Sequence, residues 1–204
     1  MKVFITGIGT GVGKTIVSAV LTEALKAGYW KPVQAGELDN SDTMVVKSLV
    51  SNAISVYYEE AHRLLNPLSP HAAAALERVN ISVPGILDKY RSITADNLVV
   101  EGAGGILVPL SRKELMIDLI EKMDIPVVLV SRHYLGSINH TLLSVEILKN
   151  RNIPIKGIVF NGTNKTSEDF ILQYTGLDCI ARIHDEPKLD KEKIREYASK
   201  IKLR

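Results

Sequence analysis

Short runs of consecutive apolar residues alternate along the chain with longer stretches in which apolar positions recur every three or four residues. That is the pattern of βα units wound around a parallel sheet. It predicts strands over residues 3–6, 29–33, 97–100, 127–131, 155–160 and 179–183. Most of these are rich in β-branched side chains and lack polar alternation, as strands covered on both faces require. Helices are predicted over residues 13–27, 43–49, 83–90, 113–123, 138–150, 167–174 and 191–200. In the first helix Ile16, Val20, Leu21, Ala24 and Leu25 recur at helical spacing, and Gly28 is the expected C-terminal cap. Pro126 and Pro154 stand just ahead of strands, where a missing N–H costs little. Residues 51–82, with Pro67, Pro70 and an alanine run at 72–75, form the least regular stretch. No internal repeat or composition break divides the chain. The expected fold class is therefore α/β, a parallel β-sheet flanked by helices on both faces, in a single domain over residues 1–204.

Composition narrows the functional classes. The chain has 204 residues, 46% hydrophobic and 24% charged, enough to bury a full core without disulfides or a structural metal. Its single cysteine, Cys179, excludes an intramolecular disulfide framework and a cysteine-based zinc cage, and it reads as a core residue rather than a nucleophile. The net charge of +2 argues against a dedicated nucleic-acid binder. The first residues meet Gly7 too early for a signal peptide, and no apolar run approaches the ~20 residues of a membrane span, so a cytoplasmic protein is expected. His62, His71, His133, His140 and His184 show no metal-ligand spacing.

Chemistry enters most clearly at the N-terminus. The string Phe4-Ile5-Thr6-Gly7-Ile8-Gly9-Thr10-Gly11-Val12-Gly13-Lys14-Thr15 takes a strand through a glycine-rich loop into a helix. The helix start aims free N–H groups and the positive end of its dipole at the loop. Gly9, Gly11 and Gly13 let backbone approach phosphate oxygens, Lys14 neutralises phosphate charge, and the Thr15 hydroxyl is placed to ligate Mg²⁺. Counted from Gly7 the loop is one residue longer than the usual G-x-x-x-x-G-K-[ST], yet it reads as a phosphate-binding loop and the fold as P-loop NTPase-like. Lys14 is expected to open the helix at the surface, adding no core volume.

Three further segments carry weaker signals. In Leu98-Val99-Val100-Glu101-Gly102-Ala103-Gly104-Gly105 an apolar strand ends in a carboxylate, either a strand-terminating acid or a ligand for Mg²⁺ at the ligand-binding end of the sheet. Asp42, in Asn40-Ser41-Asp42, reads as a helix cap or as a second such carboxylate. Lys31-Pro32-Val33-Gln34-Ala35-Gly36 closes the second strand, leaving Lys31 either solvated or at the phosphate end of the sheet. Leu135-Gly136-Ser137-Ile138-Asn139-His140 opens a helix whose free N–H groups suit another anion, such as a substrate carboxylate.

Taken together with Ser69-Pro70-His71 and Gly157-x-Val159-x-Asn161, and in this order over residues 3–161, these strings resemble the dethiobiotin synthetase family. The resemblance implies a seven-stranded P-loop enzyme, dimeric, with an active site shared between subunits. Its reaction joins 7,8-diaminononanoate and CO₂ at the expense of ATP, through a carbamate and a carbamic-phosphoric anhydride, to close a cyclic urea. By the same resemblance Lys31 is the active-site lysine, with Lys14 and Thr10 beside it in the chemistry. Thr15, Asp42 and Glu101 hold Mg²⁺. Gly11, Val12, Gly13, Lys14, Thr15, Ile16, Glu101 and Gly104 bind the nucleotide, and Asn161 contacts its adenine. Lys31, Ala35, Leu135, Gly136, Ser137, Ile138 and Asn139 meet the substrate. No partner beyond these small molecules and a second copy of the chain is implied, and neither nucleic acid nor membrane.

The chain departs from the family's usual pattern at three places. The loop has Gly7-Ile8-Gly9-Thr10 where Gly-Thr-Asp-Thr is common, Ala35 stands where Ser or Thr is usual, and His184-Asp185-Glu186-Pro187 follows Ile183 where proline usually comes first. The competing class is the P-loop switch ATPase of partitioning and cell-division-site type, which carries a second lysine five residues before the loop lysine. Here that position is Gly9. Some such proteins end in an amphipathic membrane helix. Ile194, Tyr197, Ala198 and Ile201 form an apolar stripe in a C-terminal stretch rich in Lys and Arg, which is expected to pack on its own sheet.

Overall fold

A computed structural model describes residues 1–162, 167–201 and 203. In chain order the elements are β1 (Lys2–Gly7), α1 (Lys14–Leu25), β2 (Gly28–Trp30), β3 (Val33–Ala35), α2 (Asp42–Leu49), β4 (Tyr57–Tyr58), β5 (His62–Leu64), α3 (Pro70–Glu77), α4 (Val83–Arg91), β6 (Leu98–Gly105), α5 (Met116–Met123), β7 (Val127–Arg132), α6 (Ser137–Asn150), β8 (Ile155–Asn161), α7 (Glu168–Thr175), β9 (Cys179–Ile183) and α8 (Lys191–Ala198). Seven strands form a parallel sheet in the order β4-β2-β6-β1-β7-β8-β9, while β3 and β5 pair separately. The chain winds outward from β1 in one direction and then, after β6, in the other. Ligands of open α/β sheets sit where that reversal occurs.

Burial on both faces explains the unbroken apolar strands. Val3, Ile5, Val99, Val128 and Val130 pack with α1, α2 and α8, whereas Phe4, Leu98, Val100 and Val127 pack with α4 and α5. Leu129, Ile158 and Phe160 meet Val145 of α6 and Ile171 of α7. Ile194 and Tyr197 of α8 are buried in the cluster around α1, with Ala198 and Ile201 packed against it, so the stripe of the C-terminal helix is covered by its own fold. Lys202 and Arg204 of that stretch lie outside the described residues. Among the described residues, no helix is long and apolar enough to cross a membrane.

Several elements differ from the sequence expectation. The single strand expected over 29–33 is two, because Pro32 cannot donate to the ladder; its carbonyl instead accepts from Ala61 and His62. Residues 51–82 contain β4, β5 and α3, with the alanine run inside α3. The first helix stops at Leu25, capped by Lys26 in the left-handed region (φ 47°), and Gly28 opens β2 instead of capping. The strand expected to end at 100 continues through Glu101 to Gly105, so Glu101 lies inside β6 opposite Ile5. The helix expected from 113 begins at Met116. Cys179 is half-buried at the start of the edge strand.

Gly157 shows what the parallel packing demands. Its φ is +148°, and a Cβ there would stand 2.5 Å from the carbonyl oxygen of Asp178. Gly157→Ala therefore forces β8 away from the segment leading into β9. It should lower stability by about 2 kcal/mol, read as a reduced urea midpoint; an unchanged midpoint would show that β8 and β9 separate freely here.

Candidate active site

Four segments deliver side chains to one point at the carboxyl end of the sheet. The loop after β1 presents Lys14 and Thr15. Lys31 follows directly on β2, sharing a face with Tyr29 by the two-residue period of the strand. Asp42 is the first residue of α2, whose cap is Ser41, with its hydroxyl accepting from the Met44 N–H. Because Ser41 caps, the Asp42 carboxylate is left to the site. Glu101 comes from the interior of β6.

The Lys31 ammonium is buried and makes three contacts, with Asp42 Oδ2 at 2.6 Å, Glu101 Oε1 at 3.1 Å and the Gly102 carbonyl at 3.0 Å. The Thr15 hydroxyl lies 2.8 Å from Asp42 Oδ1 and 3.0 Å from Glu101 Oε1. Glu101 Oε2 accepts from the Tyr29 hydroxyl at 2.9 Å. The Gln34 side chain braces the edge, accepting from the Asp42 N–H at 3.2 Å and donating to the Gly36 carbonyl at 3.0 Å. Solvated-lysine behaviour is ruled out for Lys31, which is 4% exposed.

Lys14 is also buried, 7% exposed, contrary to its expected surface position. Its ammonium donates to the Gly9 carbonyl at 2.9 Å. Burial and then the neighbouring Lys31 ammonium lower its pKa to about 8, against the partial support of Glu101 and Asp42. Burial also works against the charged form of Lys31, but Glu101 and Asp42 outweigh it and raise the pKa above the usual lysine value. For Asp42 burial pulls upward, and the Lys31 ion pair and the Thr15 hydrogen bond overcome it, holding the carboxyl below its ordinary range.

These groups open on a cavity of about 830 Å³ lined also by Thr10, Gly11, Gly13, Ile16, Ala35 and Gly104. A second cavity, of about 730 Å³, is lined by Leu135, Gly136, Ile138 and Asn139. Ser137 is buried beside it at the start of α6. The candidate residues thus divide into two groups, since β2 and β7 lie on opposite sides of β6 and β1. Val12 is buried beneath the loop. Asn161 lines neither cavity. Its amide donates to the Val12 carbonyl at 2.8 Å and lies where a Cβ on Gly13 (φ +91°) would stand, so it braces the loop from behind.

Tyr29 escaped the sequence reading because it acts through Glu101, far along the chain, and Gln34 because its contacts with Gly36 and the Asp42 N–H depend on how the chain turns between β3 and α2. Tyr29 was nevertheless marked by its place two residues before Lys31, on the same strand face.

A cluster of hydroxyl and carboxylate oxygens beside a phosphate loop is the donor set that a hard divalent cation with a nucleotide takes. The chain is 52% identical over 202 residues to the ATP-dependent dethiobiotin synthetase of Christiangramia forsetii, covering 98% of this chain and 96% of that one. It is 48% identical over 201 residues to the enzyme of the same name from Cytophaga hutchinsonii, covering 98% and 96%. The chain belongs to the dethiobiotin synthetase family. Residues 1–193 also match the model of an AAA domain. Among solved structures, the cell-division ATPase MinD of Pyrococcus furiosus superposes with a TM-score of 0.63 at 13% identity, covering 98% of this chain and 97% of that one. At that identity the likeness shows the fold alone. The switch-ATPase class therefore shares this architecture without lending its activity, and the dethiobiotin synthetase relatives decide the family.

A lysine of such low pKa placed against the phosphates would give ATP binding a pH dependence. Below about pH 8 the free enzyme carries the ammonium. Above it Lys14 is neutral, and polyphosphate binding must take up a proton. Affinity for ATP should be level up to about pH 8 and then fall by up to ~10-fold per pH unit. Lys14→Met should remove this inflection along with most of the binding. Calorimetric titrations at successive pH values check it; a parent protein with level affinity through about pH 9 would take Lys14 out of phosphate contact.

Proposed function

We propose that this chain catalyses the ATP-dependent carboxylation and ring closure of 7,8-diaminononanoate with CO₂, giving dethiobiotin, ADP and phosphate. The observation that carries the reading is a phosphate loop sharing one cavity with a buried lysine held between two carboxylates, in a chain of this family. In the first step an amine of the substrate forms a C–N bond to CO₂ and loses a proton. A carbamate oxygen then attacks the γ-phosphorus, and ADP departs with the electron pair of the broken P–O bond. The second amine closes on the carbamoyl carbon, expelling phosphate and a proton.

Apart from CO₂ and the amines, the reacting species gathered here are anionic, so the protein's work is positioning and counter-charge. The loop from Thr10 to Ile16, with Gly104 beside it, cradles the phosphates, and Lys14 exchanges its Gly9 carbonyl for a phosphate oxygen. Lys31 meets the carbamate and the transferring phosphoryl group. Thr15, Asp42 and Glu101 are the residues that hold Mg²⁺, an ion that supplies charge neutralisation to the phosphates when bound. Ala35 borders the amine end of the substrate without a hydroxyl. Asn161 contacts the adenine with the rest of its side-chain amide, one N–H being given to the Val12 carbonyl. The enzyme works in the cytoplasm, with small molecules and a second copy of itself as its partners. The near-balanced charge supports the absence of a role on nucleic acid, and among the described residues no helix is long and apolar enough to cross a membrane.

The carboxylate of the substrate is assigned to the start of α6 around Leu135, Gly136, Ser137, Ile138 and Asn139 of a partner subunit, where the Ser137 N–H is already given to the Tyr134 carbonyl. Two features support a shared site. The two cavities lie on opposite sides of β1, and Leu135 projects fully into solvent, 104% exposed, at the rim of its cavity.

Phosphate release measured with ATP, diaminononanoate and bicarbonate should require all three. Equal release from ATP alone would return the chain to the switch-ATPase class. Lys31→Gln should lower kcat by ~100-fold or more with ATP affinity changed far less; unchanged turnover would remove Lys31 from the chemistry. Gly136 has φ +101°, which proline cannot adopt, so Gly136→Pro breaks the anion site. Mixed with Lys14→Ala under verified subunit exchange, it should regain part of the activity, since a mixed dimer assembles one site from two intact halves. No recovery would sink the shared site.

A further inference from the structure

The two oxygens of Glu101 have different neighbours. Oε1 meets the Thr15 hydroxyl at 3.0 Å and the Lys31 ammonium at 3.1 Å, on the cavity side. Oε2 turns inward and accepts from the Tyr29 hydroxyl at 2.9 Å. Tyr29 is wholly buried, its backbone N–H tied to the Val56 carbonyl and its ring tilted against Tyr57 at 6.5 Å between centroids. The phenol therefore cannot swing away, and the carboxylate cannot rotate without losing a buried partner.

We propose that Tyr29 is a positioning residue that fixes Glu101 as a one-oxygen ligand for the divalent cation carried with the nucleotide. The inference rests on the reading that Glu101 belongs to the cation site. By occupying Oε2, the hydroxyl denies the cation a two-oxygen grip and holds Oε1 in line with Thr15 and Asp42. It also draws charge from the carboxylate, which sets how tightly the cation is held. Hydrogen-bond partners of ligating carboxylates commonly control metal affinity in this way. The role is separable from packing, because phenylalanine keeps the ring and removes only the donor.

The test is calorimetric binding of ADP in rising Mg²⁺, made on the parent, Tyr29→Phe, Glu101→Gln and the double variant, with a thermal melt of each. In Tyr29→Phe the Mg²⁺ concentration that half-saturates the metal-dependent gain in affinity should change by roughly 10-fold. Metal-free ADP binding should stay within about two-fold of the parent. In the Glu101→Gln background the same substitution should shift nothing further, because its effect runs through Glu101. Three results would overturn the proposal: a Mg²⁺ titration that coincides with the parent's, metal-free binding that weakens in proportion, or a shift of full size without the Glu101 carboxylate. A parent whose ADP binding ignores Mg²⁺ overturns it as well. If Tyr29→Phe does not fold, Tyr29→Met fills the same apolar space without a donor and serves the same comparison. Turnover of the diamine is measured separately, so a parent that binds Mg²⁺ and ADP as described but makes no product rejects the proposed reaction and leaves the role of Tyr29 standing.

Discussion

Burying the ammonium of Lys31 is the condition on which the rest of the site is built. A lone buried ion costs several kcal/mol even after the surroundings relax. The group has three protons to place, and all three find acceptors, on Asp42, Glu101 and the Gly102 carbonyl. Those acceptors come from the first turn of α2 and the middle of β6, so the end of β2 must be brought to both. Pro32 ends β2 immediately after Lys31, and Gln34 then fastens the chain to the Asp42 backbone. The start of α2 has a second tether, since the buried Glu60 carboxylate accepts from the Thr43 hydroxyl at 2.6 Å. Removing either carboxylate would leave the buried ammonium groups short of counter-charge, a far larger penalty than the loss of a surface ion pair.

A second ammonium in the same cavity makes the free site electrostatically uneasy. Lys14 faces Lys31, and it is Lys14 that yields, with its pKa brought down to about 8 while that of Lys31 rises. The difference follows from their partners. Lys31 owns the two carboxylates, whereas Lys14 has one neutral carbonyl of its own loop, that of Gly9. A carbonyl oxygen at 2.9 Å occupies the place that a phosphate oxygen takes in the proposed complex, with less charge than the lysine can use. An incoming polyphosphate therefore gains from a cation that is already in place, already desolvated and poorly neutralised. That is preorganisation held at the cost of stability in the free protein.

What the sequence disclosed and what it concealed divide along the range of the interactions. The phosphate loop was readable because strand, glycines, lysine and helix follow one another without interruption. The buried strands were readable because covering both faces of a sheet leaves only apolar side chains. Concealed were the features that depend on a distant segment. β6 runs on through Gly102 and Gly105 because a Cβ at Gly102 would press on the Phe4 ring and one at Gly105 would stand 3.3 Å from the Gly7 carbonyl. A string of small residues that reads as a turn is thus a strand passing under the loop. α3 hides in an alanine run with little amphipathic contrast, since small side chains suffice where it packs. The burial of Lys14 was missed for the same reason: its depth is set by the Lys31 and β6 side of the cavity, which no local pattern records.

The fold leaves the choice of chemistry open, and the order of the strands narrows it. The architecture is shared with the MinD ATPase, whose likeness carries no chemistry with it. Here the position that would carry the second loop lysine is Gly9, and the extra cation arrives instead from β2, across β6, as Lys31. The strand order also constrains the substrate. Lys31 and the start of α6 stand on either side of β1, whose loop holds the triphosphate in the proposed complex. A substrate reaching from Lys31 to the Gly136 segment of the same chain would have to cross the nucleotide on the way. In the proposed shared site that segment comes from a neighbouring subunit, and the separation of the two cavities within one chain is the observation that supports this reading.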